Sequence, residues 1–288
     1  MIRRNPVALP IPRLTLISLT TLFAVCCSAH AQQGFFDRWQ ARASATQALQ
    51  PKWSVPVVSP YPMLIQVFRS DFTRQISTAH VHTWSLDASR GLNFIPFART
   101  EVDIFTPPFL EHSDTTPNGF GDFSMSAKFR ILSANEQHGN YLLSAFIIAT
   151  VPSGSYKNGA TDASVNPTIS GGKGFGRFDI ITNLGGTLPR GGTVISGRTI
   201  TTNTAAQYHM GRYLWPELEL NSTPWYGGTR DGKTQAFLTP GIMTSKFALH
   251  SQEANSRKGI AAGFGFQTAV TTYHSYNHSL TFTGRFLF

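Results

Sequence analysis

Residues 278–288 read HSLTFTGRFLF and end the chain in a regular alternation of apolar and polar side chains. The apolar face carries Leu280, Phe282, Phe286 and Phe288. The opposite face carries Ser279, Thr281, Thr283 and Arg285. A period of two is typical of a β-strand with one apolar and one polar face. Because a frayed terminus rarely carries four large apolar residues, we expect this strand to be needed up to its last residue.

The same period recurs in many segments after residue 61. In DFSMSAKFRI, residues 122–131, apolar side chains alternate with polar and charged ones. Many segments are as long as the roughly 9–11 residues that a tilted strand needs to cross a membrane, whereas soluble strands cluster near five or six. About 12 such segments are predicted, near 62–72, 78–88, 92–105, 119–132, 140–152, 165–173, 177–188, 198–210, 212–222, 235–249, 258–270 and 277–288.

The links between these segments alternate in length. Some are short and contain glycine, while others are long and rich in Gly, Pro, Asn and Thr, such as TPPFLEHSDTTPNG at 106–119. Short periplasmic turns and long outer loops are typical of membrane barrels. In lipid no strand edge stays unpaired, so the last strand must pair with the first. We therefore predict an all-β fold, a transmembrane antiparallel β-barrel of about 12 strands with both ends in the periplasm, rather than a soluble sandwich.

The first 60 residues have a different character. Residues 1–31 combine a basic start, a short apolar run and the small-residue site Ala29-His30-Ala31, which predicts a signal peptide and export to the bacterial outer membrane. Both cysteines, Cys26 and Cys27, would leave with it. Residues 32–60 place a candidate helix before a proline-containing stretch, and we expect a periplasmic or plug-like segment there. The barrel is expected at 61–288.

The composition argues against other classes of protein. Charged residues make up 14% of the chain and aromatic residues 12%, against about 25% charged residues in ordinary soluble domains. No run of 18 apolar residues follows the signal, so no spanning helix is predicted. Basic runs with interleaved aromatic residues are also absent, so nucleic acid is not an expected partner.

Two resemblances refine this reading. The alternating end with its terminal phenylalanine resembles the signal that the bacterial barrel-assembly machinery reads, which implies that Leu280, Phe282, Phe286 and Phe288 form it. NGFGDFSMSAKFRIL at 118–132 resembles a strand of the "MetA-pathway of phenol degradation" family of outer-membrane proteins, and so do NPTISGGKGFGRFDIITNLGG at 166–186 and WPELELN at 215–221. The resemblance covers roughly residues 60–288 and implies a channel for small, hydrophobic or aromatic solutes.

Charged side chains on the predicted inner face are the candidates for a solute path. Charge inside a barrel must be hydrated or paired, so these residues either select a solute or form a network that fills the lumen. They are Arg99, Glu101, Asp103, Asp122, Lys128, Arg130, Glu217 and Glu219. We expect passive uptake of a small-molecule solute, with outer-membrane lipid around the barrel. The alternatives are a structural or adhesive barrel without an open pore, and a barrel-based lipid hydrolase.

The histidine-rich stretch TTYHSYNHSL at 271–280 suggests a catalytic serine–histidine pair, but the spacing of these residues argues against one. His274 and Ser275 are adjacent, so on a strand they point to opposite faces, and the same holds for His278 and its neighbour. His80 and His82 share a face without a third ligand nearby. We therefore predict no catalytic residues, no metal and no cofactor.

Overall fold

The computed structural model describes residues 34–88, 90–191, 194–249 and 258–288. All strands belong to one antiparallel sheet, and a 3₁₀ turn at Gly228–Arg230 follows the twelfth of them. The strands are β1 (Val67–Ile76), β2 (His82–Asp87), β3 (Gly91–Phe97), β4 (Thr100–Phe105), β5 (Phe109–His112), β6 (Gly119–Phe120), β7 (Phe123–Ala134), β8 (Tyr141–Val151), β9 (Ser164–Phe175), β10 (Phe178–Pro189), β11 (Arg198–Tyr208), β12 (Leu214–Tyr226), β13 (Thr234–Thr244), β14 (Phe247–Ala248), β15 (Gly259–Ala269) and β16 (His278–Leu287).

The sheet closes on itself because β16 pairs with β1. Leu287 lies opposite Val67 and His278 lies opposite Ile76, so the seam runs along the whole of both strands. At three positions in the wall two consecutive strands follow one another (β2 with β3, β4 with β5, and β6 with β7), and β14 continues β13 along β15. The wall therefore has twelve antiparallel strand positions, which confirms the predicted barrel. Without its last strand the barrel would expose an unpaired edge.

Two expectations near the start of the barrel are wrong. Residues 92–105 do not form one strand, because β3 and β4 make a hairpin whose turn contains Arg99 at a positive φ of 67°. The first strand also begins at Val67 rather than near residue 62. Proline supplies no N–H to a strand ladder, so Pro60 and Pro62 disfavour pairing just before that point.

The two faces of the wall differ in chemistry. On β16, Phe282 and Phe286 are 52% and 41% exposed, whereas Thr281 and Arg285 are 7% and 6% exposed. The contrast continues around the wall, where the large exposed side chains include Phe68, Phe72, Phe129, Ile147, Leu184, Leu218 and Leu220. An apolar outer face and a polar inner face are the arrangement of a barrel in lipid.

The two ends of the barrel also differ. At the terminal end, where Val67 lies beside Leu287, the connections include the short turns 98–99, 176–177 and 209–213. The opposite, loop end carries the longer connections 152–163, 227–233 and 270–277. Since long loops of bacterial barrels lie outside the cell and short turns in the periplasm, the loop end is expected to face outward.

The N-terminal part of the described chain begins with a helix over residues 34–48, as predicted. Phe36 contacts Phe35 and Trp39 there, with ring centroids 5.8 and 6.0 Å apart. The chain divides into two compact units, Met1–Arg42 and Ala43–Phe288. The predicted signal peptide lies outside the described residues, and none of the helices that the structure describes could span a bilayer.

The seam generates the first prediction. Replacing Phe286 and Phe288 together by serine should reduce the folded fraction several-fold, because each buried phenylalanine contributes about 1.5–3 kcal/mol in lipid-like surroundings. The folded fraction is measured by heat-modifiable migration of the membrane fraction. Ser279→Ala, on the inner face of the same strand, is the control and should insert normally. Normal insertion of the double variant would contradict the role given to this strand.

Candidate functional site

An irregular stretch of chain, residues 50–66, lies inside the barrel, and we call it the lumen segment. It contains no helix or strand, yet Val57 and Leu64 are completely buried. The side chain of Gln50 bonds both main-chain groups of Leu64: Nε2 donates to the carbonyl at 2.9 Å, and Oε1 accepts from the amide at 3.0 Å. This pairing folds the segment back on itself. The structure thus puts residues 50–60 of the predicted N-terminal segment within the barrel.

Buried carboxylates of the wall accept hydrogen bonds from the main-chain N–H groups of the lumen segment. An unpaired N–H group in a dry lumen would be costly, so each such contact removes a penalty as well as adding a bond. The pairs are Val57 with Glu217 at 2.8 Å, Val58 and Ser59 with the two oxygens of Glu219 at 2.8 and 2.6 Å, and Ile65 with Glu101.

Buried cations of the wall donate hydrogen bonds to the main-chain carbonyl groups of the lumen segment. Neutral donors assist them, since Ser144 Oγ donates to Pro62 at 2.7 Å and Asn183 Nδ2 donates to Pro60 at 2.9 Å. The cationic pairs are Arg285 with Val55 and Pro56 at 2.6 and 2.7 Å, Lys128 with Met63 at 3.1 Å, and Arg69 with Val57. Arg130 donates instead to the carbonyl of Thr46 at 2.6 Å, in the helix that precedes the segment.

The charges also neutralise one another. Lys128 Nζ lies 2.6 Å from Glu101 Oε1, and their side chains are 4% and 0% exposed. The same ammonium lies 4.0 Å above the ring of Tyr61, a cation–π contact with the lumen segment. The carboxylate of Asp71 on β1 pairs with Arg69 of the same strand at 2.7 Å and with Arg90, just before β3, at 2.9 Å. Buried charge is tolerated when it is paired and hydrogen-bonded in this way.

A second part of the inner wall is apolar. Leu142 on β8, Ile181 on β10 and Ala205 on β11 are buried and point toward the lumen segment. They pack against its large side chains, Trp53, Tyr61 and Met63. The indole N–H of Trp53 donates to Asn140 at 2.9 Å, so its polar group is paired as well. The lumen segment therefore has apolar as well as ionic contacts with the inner wall.

A cavity of about 500 Å³ remains between the lumen segment and the loop end, and we call it the vestibule. Val57 and Val58 form part of its lining, and Arg90 separates it from a smaller cavity of about 70 Å³ beside Tyr61. Burial raises the pKa of Tyr276, a loop residue of the lining. Most other lining residues are hydroxyl or amide residues: Thr73, Gln75, Thr83, Ser85, Gln267, Ser279 and Thr281.

The residues predicted to line a solute path separate into two groups. The structure places six of them on the inner face, all at most 6% exposed: Glu101, Asp103, Lys128, Arg130, Glu217 and Glu219. The placement of Arg99 is wrong, because it lies exposed in the turn between β3 and β4. Asp122 lies just before β7 and accepts hydrogen bonds from the loop amides of Gly154 and Ala160, at 2.9 and 2.7 Å.

Several residues that hold the lumen segment were not predicted as site residues. Arg69, Asp71 and Arg285 alternate with phenylalanines on β1 and β16, so the same period-two signal marks them. Asn183 and Ser144 are uncharged and carry no comparable signal. The partner of all these residues is an irregular stretch without periodicity, and only its four prolines (Pro51, Pro56, Pro60 and Pro62) mark it in the sequence.

The histidine-containing stretch shows no nucleophile–base pair. His274 bonds Thr271 and Asn277, at 2.7 and 2.8 Å, while the Ser275 hydroxyl bonds Gln235 at 3.2 Å. His278 bonds Thr268 on the outer face. Among the described residues, no group of three or more His, Cys, Asp or Glu side chains is arranged to hold a metal ion.

Comparison with known proteins identifies the family. The family described as "Putative MetA-pathway of phenol degradation" matches residues 70–285, and the chain belongs to it. The fold is similar to the crystal structure of an outer membrane channel from Pseudomonas putida F1, with a TM-score of 0.54 and 13% identity over 82% of this chain and 100% of that one. No curated protein matches the chain significantly.

The ion pair inside the lumen gives a stability prediction. Lys128→Met should lower the free energy of unfolding by about 3–5 kcal/mol, because it leaves the buried Glu101 carboxylate without its cation. Adding Glu101→Gln should recover part of that loss, so the two effects are not additive. Urea unfolding of the detergent-folded protein measures this. Strictly additive losses in the double variant would show that the two side chains do not interact.

Proposed function

We propose that this protein is an outer-membrane channel for passive uptake of small, hydrophobic or aromatic solutes, and that the lumen segment is its movable closure. The observation that carries the proposal is how the segment is held. Its contacts are side-chain hydrogen bonds and packing, apart from one main-chain hydrogen bond from the Phe288 N–H to the carbonyl of Gln66, where the segment joins β1. The rest of the segment can therefore shift without breaking any of the hydrogen bonds that join the twelve strand positions of the wall.

The chemistry of the inner wall supports the solute class. When the lumen segment shifts, its apolar partners Leu142, Ile181 and Ala205 become available to a solute. The carboxylates and cations on the neighbouring strands, among them Glu217, Glu219 and Lys128, would then face water and line the rest of the path. A small molecule with an apolar ring and one polar group suits both kinds of side chain.

A structural or adhesive barrel without an open pore is the alternative. It is favoured by one observation: the lumen segment lies inside the barrel, and wall charges such as Glu219 and Arg285 already bond to it. A lipid hydrolase is less well supported, because His274 and Ser275 bond to different partners. We propose that export uses residues 1–31 as a signal peptide, and that the assembly machinery reads the terminal strand.

A disulfide lock tests the closure. A side chain placed at Gly265 would put its Cβ 3.6 Å from Cβ of Val57, within the range of disulfides. The double variant Val57→Cys/Gly265→Cys links the lumen segment to β15, and the only native cysteines lie in residues 1–31. Oxidation should lower bilayer conductance and liposome swelling in an aromatic sulfonate at least about tenfold, and a reductant should restore both.

The matched control is Val57→Ser/Gly265→Ser under the same oxidant, which should conduct equally before and after treatment. Equal permeation of the oxidised and reduced cysteine variant would contradict the proposed movement. If neither the wild-type nor the reduced variant passes ions or the sulfonate, the barrel without an open pore becomes the better account.

A further inference from the structure

One charged side chain lies on the lipid-facing surface near the loop end. Arg74 follows Phe68 and Phe72 on the outer face of β1, and those phenylalanines are 47% and 49% exposed. Its strand partners are Trp84 on β2 and Leu280 on β16. Apolar residues thus lie on the terminal side of Arg74, and the 77–81 connection begins just beyond it. This is the level expected for the lipid headgroups, where an arginine in a barrel wall is far less destabilising than at mid-membrane.

The guanidinium of Arg74 is held in place by neighbours that leave its charge uncompensated. Its Nη2 donates to His82 Nδ1 at 3.1 Å, and its carbon lies 5.3 Å from the centre of the Trp84 ring. Because arginine has no acceptor, Nδ1 must be the acceptor, so the neutral His82 ring carries its proton on Nε2 and keeps a donor. Arg74 Nε is buried and has no hydrogen-bond partner.

Among the described residues, no acid pairs with this cation. Arg74 takes part in none of the ion pairs found among the described residues. Glu111 on β5 is the strand partner of Trp84, so it lies two strands away from Arg74 on β1. His278 sits on the same outer surface, opposite Ile76, and its Nδ1 is paired with Thr268 at 3.1 Å. The patch is therefore rich in donors.

We propose that Arg74, His82 and Trp84 form a binding site on the outer wall for the phosphate group of a lipid in the outer leaflet. A guanidinium and an imidazole N–H are the donors that a phosphate takes well, and the fork geometry of the guanidinium favours a phosphate over a single-oxygen ligand. Trp84, 40% exposed, suits the interface between headgroups and acyl chains. Phe72, Leu86 and Phe282 lie one step closer to the terminal end, where the acyl chains would pack.

Binding of lipid A to the folded full-length barrel in neutral detergent tests the proposal. Native mass spectrometry would compare bisphosphorylated lipid A with its dephosphorylated analogue, for wild type, Arg74→Gln and Arg198→Gln. Arg198 is the matched control, an exposed arginine at the loop end of β11 whose strand partner is Tyr226. We expect Arg74→Gln to weaken binding of bisphosphorylated lipid A about tenfold, while Arg198→Gln leaves it unchanged.

Removal of the phosphates should weaken binding to wild type by a similar factor. The site would be overturned if both arginine variants lost the same amount of lipid A binding. It would also be overturned if wild type bound the dephosphorylated analogue as well as bisphosphorylated lipid A. Displacement of lipid A by inorganic phosphate at equimolar concentration would overturn the lipid as its ligand. His82→Ala, which keeps the Arg74 charge, should give a smaller loss than Arg74→Gln, and heat-modifiable migration shows that each variant is folded.

Discussion

The structure depends on satisfying the main-chain groups of an irregular peptide inside a closed barrel. Strands satisfy their own N–H and C=O groups, but the lumen segment has no such partner and is withdrawn from water. The inner wall supplies the missing partners by charge: carboxylates such as Glu219 accept from its amides, and guanidinium groups such as Arg285 donate to its carbonyls. Pro56, Pro60 and Pro62 reduce the demand further, since proline has no N–H group.

The same constraint explains why charge is concentrated on the inner face. A buried carboxylate or guanidinium alone would be destabilising, and so would a buried unpaired peptide group. Together they compensate one another, and Lys128 with Glu101 extends the arrangement by an ion pair. The lumen segment is held by these polar contacts and by the apolar packing of Trp53, Tyr61 and Met63. Water can replace the polar contacts one at a time. That property suits a closure that shifts while the wall stays intact.

The barrel could be predicted from sequence because strand period and terminal closure are local signals. The alternation at Phe282 and Phe286 predicted both the seam and its lipid-facing side, and the structure confirms them. The predicted placement of Arg99 on the inner face is wrong. Both strands of a tight hairpin keep alternating side chains, so periodicity alone did not reveal the turn between them. The lumen segment was beyond prediction in detail, since Val57 and Ser59 are held through main-chain atoms, which every residue has.

Amide hydrogen exchange tests the central claim most directly, by following residues 53–66 in the membrane-embedded protein. If the buried charges hold the lumen segment, the amides of Val57, Val58, Ser59 and Ile65 exchange as slowly as those of the neighbouring strands. Replacing Glu219 by glutamine should then speed exchange at Val58 and Ser59 first. Exchange of the whole segment within seconds, as in an unstructured chain, would contradict the account.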